Sequence, residues 1–315
     1  MLQAVFDAVV PIFGLILLGW IAARRKWLPD SATEALNRFV IFLALPALLF
    51  MAMARSDVSL PAEFGLAASF GLGTLGASLL YLWSSKKEKL DGINRCINCM
   101  SASYANAGFM GIPLILIVFG QDAMPAAVIV CIITVAVLFG VTIIAIEIVK
   151  ARGRSLAPAL KRVGVSLLLN PILVAPIIGL SFAAGDLAVP NAAAGLIDLL
   201  AAAATPCALI TIGLFLARSP TRTHSRSVPQ IIWIKLIAHP ALVGLLALFV
   251  FNLDPVWAWT AILAAALPVG TGPFMLANLY HQDASVSARA ILLSTIGSIL
   301  TLSGLVAWVN YANIS

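Results

Sequence analysis

Two short segments hold the residue types best suited to chemistry. One reads Tyr104-Ala105-Asn106-Ala107-Gly108-Phe109-Met110-Gly111-Ile112-Pro113-Leu114, the other Leu267-Pro268-Val269-Gly270-Thr271-Gly272-Pro273-Phe274. Each crowds two glycines and one or two prolines into six residues of an otherwise apolar stretch. Proline lacks a backbone donor and clashes with the preceding turn, and glycine weakens a helix further. Both segments are therefore read as helix breaks. A helix that restarts after a break presents free N–H groups and the positive end of its dipole. Its natural ligand is an anion. The Asn106 amide can donate to a carboxylate, and Thr271 adds a hydroxyl. Asn106 can also be a simple helix cap, and the two breaks simple packing kinks.

The elements that must position these residues are membrane helices. Hydrophobic residues make up 62% of the 315 positions and charged residues 10%, and the mean hydropathy is +1.05. A soluble domain carries about 25% charged residues, so the bilayer must be the solvent for most of this chain. Ten apolar stretches are each near the roughly 20 residues a spanning helix needs: about 4–23, 34–54, 62–83, 94–119, 124–149, 166–184, 189–216, 229–251, 256–280 and 286–310. The two breaks fall in the fourth and the ninth. Arg24, Arg25 and Lys26 follow the first stretch instead of preceding it, so it reads as a retained helix and not a cleaved signal.

Basic residues cluster after the odd-numbered stretches: Arg24 to Lys26, then Lys86, Lys87 and Lys89, then Lys150 to Arg162, then Arg218, Arg222 and Arg226. Positive charge stays cytoplasmic during insertion, so both termini are expected outside the cytoplasm. The net charge of +6 then reflects topology and implies no nucleic-acid partner.

A repeat is visible in the prolines. Pro11 and Pro171, Pro46 and Pro206, and Pro113 and Pro273 are each 160 residues apart, as are Gly19 and Gly179. Five spans per half is an odd number, so the second half enters with opposite orientation, the inverted-repeat plan of secondary transporters. The expected fold is all-α and integral to the membrane: ten helices as two inverted five-helix repeats, with helices 4 and 9 broken where they cross. The expected units are residues 1–149, a cytoplasmic linker 150–164, and residues 165–315.

Ionisable residues inside spans call for a role. Glu147 is read as snorkelling to the interface, Asp7 as interfacial. Asp198 and His239 are candidates for ion coupling or for interhelical hydrogen bonds. Asn94, Asn98, Ser101, Ser103 and Tyr104 make the first half of the fourth stretch polar, as suits a helix along an aqueous path. Cys96 and Cys99 read as small apolar helix residues. His224, His239 and His281 have no metal-like spacing, and no nucleophile–base set or aspartate pair suggests an enzyme. A channel or a sensor is the alternative to a carrier.

Asn106 through Leu114 resembles the Asn-to-Gly-Ile-Pro-Leu crossover motif of the auxin efflux carrier family. Pro268 through Tyr280 resembles its second crossover, Arg38 through Pro46 its second helix, and Asn170-Pro171 with Leu209 through Ala217 the start of its second half. The resemblance covers essentially the whole chain. It implies an elevator-type carrier of small mono- or dicarboxylates in the cell membrane, with helices 1, 2, 6 and 7 as scaffold and helices 3–5 and 8–10 as mobile bundle. It also implies homodimers through the scaffold. No cofactor is expected, and the driving force stays open between sodium, a proton and uniport down a gradient. The substrate would lie near Pro46, Asn106, Ala107, Gly108, Pro113, Pro268, Val269, Gly270, Thr271 and Pro273, with Asp198, His239 and Tyr104 as coupling candidates. The plant carriers' long central loop is missing, as is their acidic residue in the third helix, where Ala67-Ala68-Ser69-Phe70-Gly71 is uncharged. Auxin is therefore not the expected substrate.

Overall fold

The computed structural model describes residues 2–55, 60–86, 88, 90–151, 161, 164–165, 168–218 and 225–314. Most of the 150–164 linker lies outside the described residues, with Lys87, Lys89, Arg222 and His224.

Twelve helices have both ends among the described residues. They are α1 (Leu2–Arg24), α2 (Ala32–Ala54), α3 (Leu60–Ser84), α4 (Gly92–Ser101), α5 (Ala107–Phe119), α6 (Gln121–Lys150), α7 (Pro171–Ala184), α8 (Asn191–Arg218), α9 (Ser227–Val250), α10 (Pro255–Ala266), α11 (Gly272–Leu279) and α12 (Ser285–Tyr311). Six of them, α2, α3, α6, α8, α9 and α12, are long and apolar enough to cross a membrane, and α5, α7, α10 and the Val9–Arg24 part of α1 are shorter apolar segments. The protein is a multi-pass membrane protein, all-helical over the described residues. The fourth apolar stretch is split into α4 and α5, and the ninth into α10 and α11.

Three prolines act through wide turns. Pro46, Pro113 and Pro240 each stand two residues beyond a π-helical turn, at Val40–Ala44, Ala107–Gly111 and Ile234–Ala238. Proline cannot donate to the carbonyl four residues back and collides with it. A wider turn lets that carbonyl bond elsewhere without stopping the helix. Pro11, Pro176 and Pro206 stay inside α-helices.

The packing repeats with the 160-residue offset. The most extensive helix pairs are α1 with α8 and α2 with α7. A β-carbon on Gly19 would stand 2.3 Å from the Ile210 carbonyl oxygen, and one on Gly179 would stand 2.4 Å from that of Phe50. Residues 19 and 179, and 50 and 210, are related by the same offset. Small residues at these crossings let the backbones touch, and close van der Waals contact drives helix association in lipid. Gly213 is as tight, with a β-carbon placed 2.0 Å from the Ile16 carbonyl oxygen. In the other group of helices, α10 is central. Its residues from Thr260 to Ala266 are all buried, and it packs on α3, α6, α9 and α12.

Overfilling a packed interface typically costs about 1–3 kcal/mol. Gly213→Val should lower the melting temperature of the purified protein by several degrees. Gly14→Ala, where a β-carbon meets nothing within 4 Å, should leave it nearly unchanged. Equal effects from the two variants would contradict the α1–α8 contact.

Candidate functional site

The two breaks meet. The Asn106 N–H donates to the Pro268 carbonyl (3.0 Å) and the Gly270 N–H to the Tyr104 carbonyl (3.1 Å), forming an antiparallel bridge between Ala105 and Val269. Unwound backbone at membrane depth needs such partners. Two short extended segments satisfy each other here as two strands would. The Val269 N–H, pointing the other way, donates to the Ser294 hydroxyl of α12 (3.0 Å). Each half-helix restarts within a few residues. The Asn106 carbonyl accepts from Met110 and Gly111 (3.1 and 3.0 Å), and the Thr271 carbonyl from Met275 (3.0 Å).

Glycine is required on one side of the crossing. A β-carbon on Gly270 would stand 2.9 Å from the Tyr104 ring, and one on Gly272 only 2.5 Å from it. The ring lies flat over the start of α11, and only glycines leave room for it.

A cavity of about 170 Å³ lies against the crossing, lined by Tyr104 to Phe109, by Thr271, Gly272 and Met275, and by Ile41, Leu45, Val135, Phe139, Asn170 and Ile172 from α2, α6 and α7. No ionised side chain is among these residues. The polar groups facing it are amide, hydroxyl and backbone N–H. Asn106 occupies the N-cap position of α5 but makes no capping hydrogen bond with its side chain. Asn170, by contrast, uses its side chain to cap α7, accepting from the Ile172 N–H at 3.0 Å. The N-terminal turns of α5 and α11, whose first N–H groups have no intrahelical acceptor, both lie at the cavity.

A second cavity of about 740 Å³ lies further along α2, beyond Leu45. It is lined by Met51 and Arg55 of α2, Leu116 of α5, Asp122 and Pro125 of α6, Asp198 and Thr205 of α8 and Trp257 of α10, among others. Along α5 and α6, Ile112, Ile115 and Val128, none more than 1% exposed, stand between residues that line one cavity and residues that line the other.

Of the sequence-derived candidates, Tyr104, Asn106, Ala107, Gly108 and Thr271 line the small cavity. Pro268, Val269 and Gly270 form the crossing behind it. Pro113 and Pro273 are buried in the first turns of the half-helices, and Pro46 stands in α2 beyond its wide turn; these three shape helices instead of lining the cavity. Asp198 is in an ion pair with Arg55 (2.9 Å), joining α8 to α2 at the larger cavity. His239 makes an interhelical hydrogen bond, its Nε2 lying 3.1 Å from the Thr74 hydroxyl of α3. Glu147 accepts from the Tyr280 hydroxyl (3.0 Å) and lies 3.8 Å from Lys150 at the end of α6. Cys96 and Cys99 are free thiols.

Two residues that hold the crossing escape a reading by spacing. Ser294 supports the crossing with nothing in its neighbourhood to mark it. Lys235 is fully buried and lies within hydrogen-bond reach of the Ala265 carbonyl and, at 3.2 Å, of His239 Nδ1. A lone lysine inside an apolar span was itself a signal.

If the Tyr104 ring dictates glycine at position 272, Gly272→Ala should destabilise the protein, and adding Tyr104→Ala should restore part of the loss. Thermal melts of the two single variants and the double variant form the cycle. Strictly additive losses would show that ring and glycine are not in contact.

The family model described as membrane transport protein matches residues 4–306. A Rhizobium meliloti protein provisionally named a malonate transporter is 31% identical over 94% of this chain and 93% of its own. An uncharacterised transporter of Methanothermobacter thermautotrophicus is 25% identical over 94% and 95%. The uncharacterised transporter YfdV of Escherichia coli is 23% identical, with 96% of both chains covered. With its crossed broken helices and this match over nearly its whole length, the chain belongs to the membrane transport protein family of auxin efflux carrier type, and is a transporter and not an enzyme.

Proposed function

We propose that the protein carries a small organic anion, a mono- or dicarboxylate, across the cell membrane by elevator-type alternating access. One observation carries this reading. A side-chain amide without a hydrogen-bond partner among the described residues converges with two half-helix N-termini on a single cavity that holds no ionised side chain. Helix N-termini attract negative charge, and the amide orients it. The cavity, about 170 Å³, is below the roughly 300–1,000 Å³ of pockets for drug-sized ligands. That favours a compact carboxylate over a ring-bearing one. The relative named for malonate has the same substrate class, and malonate is the first ligand to test.

The motion follows from the packing. We read the ten apolar segments as two inverted repeats, residues 1–149 and 165–315, joined by a cytoplasmic linker at 150–164. The exchange of α1–α8 for α2–α7 under one offset supports that reading. Those four helices, knit by glycine contacts, form the scaffold, and two copies pair through it. The remaining helices carry the crossing as a body. Buried side chains between the cavities argue against a standing pore. With the basic loops cytoplasmic, the small cavity is on the inner side, since its lining includes Ile41 and Asn170 near the inner ends of α2 and α7.

Asn106→Ala should weaken malonate binding roughly ten- to hundred-fold, because a hydrogen bond to a charged group contributes about 1.5–3 kcal/mol and each ~1.4 kcal/mol is tenfold. Asn106→Asp should be worse, since it opposes two negative charges. Calorimetry on both variants, with melting temperature as a folding control, decides this. Unchanged affinity in the alanine variant would remove Asn106 from the site. For orientation, single cysteines at Asp186 and Asn252 in a cysteine-free background should react with an impermeant maleimide on intact cells, and cysteines at Arg25 and Lys161 only after permeabilisation. The reverse pattern would invert the topology.

A further inference from the structure

The break that frees N–H groups at the start of α11 also frees carbonyls at the end of α10. Leu267 turns extended (φ −57°, ψ 151°), and the last carbonyls of α10 lose their helical donors. The C-terminal end of a half-helix carries partial negative charge and, in transporters with broken helices, is where a coupling cation binds. Here the Lys235 amine, reaching across from α9, hydrogen-bonds the Ala265 carbonyl. That carbonyl is three residues from Pro268, which accepts from Asn106 at the crossing. At the end of α4 hydroxyls act instead: Ser78 donates to Ser103 (2.9 Å), which lies 3.3 Å from the Cys99 carbonyl.

Lys235 has no carboxylate partner among the described residues. Its neighbours are His239 Nδ1 at 3.2 Å and, beyond it, Thr74 at His239 Nε2. Between Lys235 and His239 one nitrogen must donate and the other accept, so both cannot be fully protonated. Helices packed against α9 bring Glu63 and Tyr81 (α3), Asp91, Arg95, Cys96 and Cys99 (at α4), Asp254 (before α10) and Arg289 (α12). Glu88 reaches α9 at Ser227, two turns from Lys235. An ammonium in the membrane interior is costly without a counter-charge, and an anion held at the crossing supplies one.

We infer that Lys235 is a tethered cation filling the ion-binding end of α10, so that the transported anion is accompanied by a proton on the Lys235–His239 pair and not by sodium. This rests on the anion-transport reading above. On anion binding the Lys235 amine takes a proton from a hydronium ion of the aqueous phase, an O–H bond breaking and an N–H bond forming with water left behind, and His239 accepts a hydrogen bond at Nδ1. On anion release the same proton returns to water and the N–H bond breaks.

Two measurements on the purified full chain test this. Melts of the ligand-free wild type in sodium chloride and in equal choline chloride should coincide, and stabilisation by sodium alone would overturn the inference. Calorimetry of malonate binding in buffers of different protonation enthalpy should show about one proton taken up per anion by the wild type. It should show none by Lys235→Arg, whose guanidinium keeps its proton; equal uptake by both would overturn the assignment. A wild type that binds no malonate would count against the carboxylate reading, and the sodium measurement would still decide the role of Lys235.

Discussion

Backbone polar groups cannot be left unpaired at the depth of a bilayer, and most of this structure follows from how two broken helices meet that constraint. Tyr104 to Asn106 and Pro268 to Gly270 pair with each other because neither has a helix to pair with. To bring them that close, α10 must be buried from Thr260 to its end at Ala266, and residues 270 and 272 must be glycine beneath the Tyr104 ring. Ser294 must reach the Val269 N–H, and Lys235 the freed carbonyl of Ala265. The half-helices that leave the crossing then aim their positive ends at one small cavity as a by-product of the same geometry.

This arrangement separates recognition from charge. Ionised side chains are costly within a membrane. The polar groups at the small cavity are accordingly uncharged ones: an amide, hydroxyls and helix-end N–H groups. Among the described residues the one fully buried amine, that of Lys235, stands behind the crossing, on the carbonyl side of the break at the end of α10. The ion pairs among the described residues lie elsewhere: Arg55 with Asp198 beside the larger cavity, Glu147 with Lys150 at the end of α6, Arg38 with Glu34 and Arg218 with Asp30.

Much of this is legible in the residues because glycine and proline act locally. Two of each within Pro268 to Pro273 suffice to end a helix, and the structure ends α10 at Ala266 and begins α11 at Gly272. The 160-residue spacing foreshadows the matching contacts of Gly19 and Gly179, since equivalent helices meet equivalent surfaces. Proline is less readable as a site residue. Pro46 and Pro113 alter hydrogen bonding several residues upstream, at the wide turns, so their influence and their location differ. Long-range partners are the least readable. Nothing local to Asp198 announces Arg55, 143 residues away. Lys235, in Ile231-Ile232-Trp233-Ile234-Lys235-Leu236-Ile237, takes its meaning from a carbonyl 30 residues on that is free only because another segment breaks.

The most direct test of the account is an experimental structure of the protein with malonate bound. One carboxylate should lie between the Asn106 amide and the first N–H groups of α5 and α11, in the small cavity beside Tyr104. Malonate bound instead at Arg55 in the larger cavity, with the crossing empty, would contradict it.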